Sequence, residues 1–306
     1  MNYSRNLSDE IRHFFRGGSV LSILIFINIG VWILAKALTV FFYLYNHPEI
    51  ALDKLILDYF ALPANLSELA SRPWTLFTYM FLHLDFWHIL FNMMWLFWFG
   101  KIFMEYLTSR QLLFTYIAGG LAGGLLYILA FNIFPKFQES IDVSVALGAS
   151  ASVMAIVTAI SFFVPNYSIQ LIFIGRIRIL YLAILLFIFD FFAIPTGNAG
   201  GHIAHIGGAV FGYFISLWMR KTNYTYSAGV FSSLMNNIGK LFRPRPRVSS
   251  GTPYSERPKT DEDYNVEKNF HQKKIDTILE KISRGGYDSL TKEEKDFLFR
   301  SSGKNS

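Results

Sequence analysis

Long apolar runs, rather than apolar stripes at helical spacing, organise the first 220 or so residues of this chain. They fall at about 19–44, 83–104, 111–134, 147–165, 172–194 and 201–219. Each is close to the roughly 20 apolar residues that a helix needs to cross the hydrocarbon core of a bilayer. The pattern predicts an all-α, polytopic membrane protein with a six-span bundle. The first run is too long for the apolar core of a removed signal peptide and no small-residue cleavage pattern follows it, so Met1 onward is expected in the mature protein.

Two segments break this pattern. The loop at about 45–82 carries Leu55, Ile56, Tyr59, Phe60, Leu62 and Trp74 but is interrupted by Asp53, Asp58, Pro63 and Pro73. It is expected to lie in the interface as short amphipathic pieces that brace the bundle. Near residue 222 the composition shifts, which divides the chain into a membrane domain at 1–222, a flexible basic linker at 223–260 and a cytoplasmic helical hairpin at 261–306. In that tail Ile275, Ile278, Leu279 and Ile282 recur at helical spacing and Gly285-Gly286 suits a helix end. Thr291 with Glu294 forms a capping-box pattern before Phe297-Leu298.

Charge orients the spans. With the N-terminus inside, the inner segments hold Arg5, Arg12 and Arg16, then Lys101 and Arg110, then Arg176 and Arg178, then Arg220, Lys221 and the tail. The outer segments hold only Lys54, Arg72 and Lys136, so both termini are expected in the cytoplasm. A net charge of +6 does not point to nucleic acid, because the excess sits in these loops and in Arg243-Pro244-Arg245-Pro246-Arg247. A basic segment after a last span is expected to meet anionic lipid headgroups. The chain has no cysteine, which excludes disulfides, thiolate catalysis and cysteine-based zinc sites.

Polar residues at membrane depth carry the candidate chemistry. His83, His88 and Asn92 lie in the second run, with His88 and Asn92 on one helical face. Two donors stacked there suit a developing oxyanion, while pairing with neighbouring helices is the plainer use of such groups. Gly148-Ala149-Ser150 opens the fourth run, and spacing alone does not separate Ser144, Ser150 and Ser152. Ala204-His205-Ile206-Gly207-Gly208 opens the sixth, where Gly208 and Gly212 make a small-residue face that would press this helix on the fourth. A serine and a histidine delivered by two helices suggest a nucleophile and its base.

Three other classes stay open at this point. His83, His88, His202 and His205 could instead serve a metal-dependent membrane enzyme, although there is no His-Glu-x-x-His and His202 has no obvious carboxylate partner. Asp190 reads as a hydrogen-bonded partner between helices or a group near the outer mouth. A non-catalytic binding protein would be expected to lack the serine or the histidine. A transporter would be expected to show repeated halves or broken helices, and neither is found.

Taken together, His83-x4-His88-x3-Asn92, Gly-x-Ser at 148–150 and Ala-His-x-Gly-Gly at 204–208 resemble the rhomboid family of intramembrane serine proteases over about residues 70–220. The resemblance implies a Ser150–His205 dyad that cuts membrane-anchored proteins in or next to their spans, with no cofactor and no metal. It also implies an oxyanion hole from His88, Asn92 and the Ser150 N–H, with His83 holding the second span and first loop, and a gate formed by the fifth span and the loop at about 193–201. Three positions depart from the family pattern: Ala151 stands where many members have Gly, Thr75 follows Trp74 where some have Arg, and Met154 stands where some have a Tyr that stacks on the histidine. The expected location is a bacterial plasma membrane. No partner for the tail follows from its residues.

Overall fold

Helix starts in the bundle at Ser19, Asn65 and Asp85 have a side-chain cap in the sequence. The computed structural model of the chain describes residues 19–45, 49–171 and 175–221, with single positions between 275 and 298. Helix α1 is Val20–Leu44, capped by the Ser19 side chain, which accepts from the Ser22 N–H at 3.1 Å. The first loop follows as α2 (Glu49–Phe60), β1 (Leu62–Pro63), α3 (Leu66–Ser71), α4 (Thr75–Thr78) and a 3₁₀ turn at Tyr79–Phe81. Then come α5 (Phe86–Tyr106), α6 (Ser109–Ile133), α7 (Pro135–Gln138), β2 (Val145–Ala146) and α8 (Ser150–Phe163). The strands β3 (Ser168–Leu171) and β4 (Gly175–Arg178) precede α9 (Ile179–Ala193), and α10 (Ala199–Lys221) ends the bundle.

Among the described residues a helix lies at each of the six apolar runs, with two corrections to the expected bounds. The second run was expected to be helical from residue 83, but α5 begins at Phe86 because Asp85 accepts from the His88 N–H at 2.9 Å and so caps the helix. His83 therefore stands before the helix, not on it. The fifth run was expected from residue 172, but α9 begins at Ile179 because β3 and β4 pair as an antiparallel hairpin, with Gly175 at φ +86°. Among the described residues, α1, α6, α9 with its following turn and α10 are long and apolar enough to cross a membrane. Helix α5 carries His88, Asn92, Lys101 and Glu105, and α8 has 14 residues, about 21 Å at 1.5 Å per residue.

Helix α8 is the centre of the bundle: every residue from Ala151 to Ser161 is buried. It can be enclosed because its neighbours lack side chains where they touch it. A Cβ on Gly123 of α6 would lie 2.6 Å from both the Ala151 Cβ and the Ala204 carbonyl oxygen. One on Gly208 of α10 would lie 2.9 Å from the Ala151 carbonyl carbon, and one on Gly212 would run into the Ala155 carbonyl. In a bilayer, where lipid tails are as apolar as leucine, this close packing drives helix association. Helix α9 is different: it buries only Ile179, Ala183, Asp190 and Ala193 and exposes Leu185, Phe189 and Phe192.

The first loop does brace the bundle, by hydrogen bonds. Trp74 Nε1 donates to the Tyr59 carbonyl and Thr78 Oγ1 to that of Phe60, both at 2.8 Å. Arg72 donates to the Asp58 carbonyl and pairs with Glu68. Asn132 of α6 donates to the Ala64 carbonyl at 2.9 Å, and Tyr79 OH donates to the Gly120 carbonyl. Strand β1 pairs with β2, Leu62 opposite Ala146, and so fixes the chain just before Gly148.

The basic linker at 223–260 lies outside the described residues, as does Leu279. Taken by itself, the tail shows both local signals read from its sequence. Gly286 at φ +73° donates its N–H to the Ile282 carbonyl at 2.8 Å, ending a helix. The Thr291 N–H donates to Glu294 Oε2 at 2.7 Å and the Glu294 N–H to Thr291 Oγ1 at 3.3 Å, a reciprocal capping box. Lys281 Nζ pairs with Glu294 at 2.9 Å.

Two outcomes follow from this packing. Gly208→Ala must displace the α8 backbone, which costs roughly 1–3 kcal/mol, so thermal denaturation in detergent should show a clear drop in melting temperature. Gly30→Ala meets nothing within 4 Å and should leave it unchanged or slightly raised. In the tail, the hydrogen bonds from Lys281 and the Thr291 N–H hold the Glu294 carboxyl below its ordinary range. Its contribution is therefore present at neutral pH and lost as pH falls through that lowered value. Glu294→Gln should reduce hydrogen-exchange protection of the Thr291 amide at pH 7, and the difference from wild type should shrink as pH falls through the carboxylate range.

Candidate functional site

The turn into α8 is gripped from the first loop. The Gly148 N–H donates to the Tyr79 carbonyl at 2.9 Å, and the Ala149 N–H donates to His83 Nε2 at 3.3 Å. Gly148 sits at φ +117°, a conformation that side chains disfavour. A Cβ there would also lie 2.7 Å from His88 Cε1 and 2.8 Å from its Nε2. Both constraints demand glycine, and they place the His88 ring over the turn. Ser150 Oγ borders the same space, 3.7 Å from that Cβ position.

Ser150 opens α8 and is half-buried. Its N–H is one of the helix's unsatisfied first-turn donors and has no partner among the described residues. The other two serines sit differently. Ser152 is fully buried beside Met80 Sδ, at 4.0 Å, and Ser144 lies ahead of β2, its carbonyl taken by the Ala64 N–H. Ser150 alone of the three stands at a helix start beside His88.

On α5, Asn92 and His88 share a face as expected, and Asn92 Nδ2 donates to the His88 carbonyl at 3.0 Å. The His83 and His88 rings lie 5.1 Å apart. His83 was expected to hold the second span and first loop; its observed bond is to the turn before Ser150, because its place ahead of α5 turns its ring onto that turn.

His205 reaches the site from α10, whose Ala204 and Gly208 lie against Gly123 and Ala151. It is close enough to His88 for the charges of the two rings to interact. Its Nδ1 bonds to Asp190 Oδ1 at 2.9 Å, and its Nε2 makes no hydrogen bond among the described residues. No hydrogen bond joins it to Ser150 in this structure. His202 Nδ1 bonds to the same Asp190 oxygen at 2.8 Å.

Here the sequence reading needs correction: His202 does have a carboxylate partner. That partner is 12 residues away across a loop and a helix end, where spacing gives no guide. A lone carboxylate in an apolar helix was the available signal. Ligand atoms of Asp190, His202 and His205 lie within 4.8 Å of one another, a set able to hold a metal ion. His83 and His88 are not part of that cluster, so the four histidines are not gathered into one site.

The Rhomboid domain matches residues 70–222, half of the chain, and a family of unknown function, DUF6576, matches residues 259–304. The chain is 30% identical over 166 residues to RHOMBOID-like protein 12, mitochondrial, of Arabidopsis thaliana. That alignment covers 51% of this chain and 49% of the relative, so the chain spans about half the relative's length. With apolar helices able to span a bilayer and a rhomboid domain over half its length, this chain is a multi-pass integral membrane protein and belongs to the rhomboid family.

Proposed function

We propose that this protein is an intramembrane serine endopeptidase that cleaves membrane-anchored proteins in or next to their transmembrane segments. The observation that carries the reading is a half-buried serine at the start of a helix buried from Ala151 to Ser161, beside the turn that the His88 ring covers, with His205 carried by a helix that packs on the same one through Gly208. Ser150 Oγ attacks the scissile carbonyl carbon and its proton passes to His205 Nε2. His205 then gives that proton to the leaving amine, and water, deprotonated in the same way, releases the acyl group from the serine. Negative charge on the carbonyl oxygen develops beside the Ser150 N–H, His88 and Asn92, whose amide keeps a second N–H beyond the one given to the His88 carbonyl. Catalytic hydrogen bonds are often long until substrate is bound, which accommodates the open Ser150–His205 pair.

Substrate reaches this site past α9, which has a sparse buried face and is followed by a turn with Gly197 at φ +143°. The basic loops support both termini facing the cytoplasm, with the linker near anionic headgroups.

Two other readings stay open, one of them with a specific observation behind it. The Asp190–His202–His205 cluster favours a metal-dependent enzyme. A non-catalytic rhomboid-like protein would use the same fold to bind membrane proteins.

Cleavage of a single-span test substrate by purified protein, with and without chelator, separates the three. Ser150→Ala and His205→Ala should each lose at least about 10^4-fold in kcat; Ser150→Ala should keep the wild-type melting temperature, His205→Ala should lower it because buried Asp190 loses one of its two donors, and Ser152→Ala should retain substantial activity. Chelator should have no effect. Activity lost in Ser152→Ala but kept in Ser150→Ala would reassign the nucleophile, loss on chelation would favour the metal, and no cleavage across several substrates would favour binding alone. His83→Ala strips the Ala149 N–H of its acceptor at a cost of about 1–3 kcal/mol, so both kcat and melting temperature should fall.

A further inference from the structure

Asp190 is the only acidic residue of α9 and is buried, although that helix is otherwise apolar and faces largely outward. A carboxylate at such depth requires donors. It has two, the Nδ1 atoms of His202 and His205, both directed at Oδ1. An ionised carboxylate only accepts hydrogen bonds. Each Nδ1 in these bonds therefore carries the proton, and a neutral His205 keeps its lone pair on Nε2.

Resting on the serine-protease reading above, we propose that Asp190 is a positioning residue: its bond to Nδ1 fixes the ring orientation and tautomer of His205, presenting Nε2 as the base for Ser150. The bond also stabilises the imidazolium formed when His205 takes the serine proton. It crosses from α9 to α10, so the helix proposed to move for substrate access also carries the group that arms the base. Displacement of α9 that breaks the bond would leave His205 free to rotate. Met154, a flexible thioether one turn into α8, provides no ring to hold the imidazole in its place.

The test compares Asp190→Asn and Asp190→Glu with wild type and Ser150→Ala, in detergent with chelator present, reading kcat and KM separately. Nitrogen-15 NMR of labelled histidine reads the His205 tautomer. Asp190→Asn should lower kcat roughly 10^2- to 10^4-fold, as expected when a base is held in the wrong tautomer, with KM little changed and the Nδ1–H tautomer no longer dominant. Asp190→Glu keeps the carboxylate and should recover part of kcat. Wild-type kcat in Asp190→Asn, with Ser150→Ala inactive, would overturn the positioning role and leave the protease reading intact. Equal cleavage by wild type and Ser150→Ala would overturn both. Should Asp190→Asn fail to fold, the wild-type spectrum decides: a neutral His205 protonated at Nε2 overturns the proposal, and one protonated at Nδ1 upholds it.

Discussion

Close approach of three helix backbones is the constraint on which the rest of this structure depends. Gly123 on α6 and Gly208 and Gly212 on α10 present no side chain where they meet Ala151 and Ala155, and no atom larger than hydrogen fits at those points without moving the backbone. The result is a 14-residue helix enclosed on all sides. Its first residue is thereby held at a fixed height against the fifth and tenth helices. A bundle spaced by ordinary side chains would hold α10, which carries His205, farther from α8, which Ser150 opens.

Within that frame, polar groups that would be costly in hydrocarbon are used to hold one another. His83 takes the N–H of Ala149, Asn92 takes the carbonyl of His88, and Asp190 takes two histidine N–H groups. The first loop contributes through Tyr79, whose carbonyl holds the Gly148 N–H and whose hydroxyl reaches α6. Ser150 and His205 keep polar atoms without partners among the described residues, but so do Trp32, His83, Tyr127, Thr158 and Ser161. What sets Ser150 apart is its place at a helix start beside the turn that the His88 ring covers.

Much of this was legible in the sequence because it is local or periodic. Apolar runs gave the positions of the six long helices, and the small residues at 148–152 and 207–212 gave the faces that meet. Thr291 and Glu294 formed the capping box their spacing implies, since both partners lie within one turn. Less legible were features decided by a competing local bond or a distant partner. Asp85 moved the start of α5 and took His83 off the helix, and the pairing of β3 with β4 delayed the start of α9. Separation of Ser150 from Ser144 and Ser152 needed the backbone turn at Gly148. Asp190 was read as a hydrogen-bonded partner between helices and is one, but which groups it binds was not legible, because its two partners lie 12 and 15 residues on and only the packing of α9 against α10 brings them to it.

The most direct test of an armed serine at the start of α8 is covalent. An organophosphorus fluoride reacts with a serine hydroxyl only where a neighbouring base and oxyanion-stabilising donors activate it. Incubation of the membrane-embedded wild type with such a probe, followed by peptide mass spectrometry, should find the adduct on Ser150 and find none in His205→Ala. An adduct on another serine, or none on any serine of a protein that cleaves its substrate, would contradict the account.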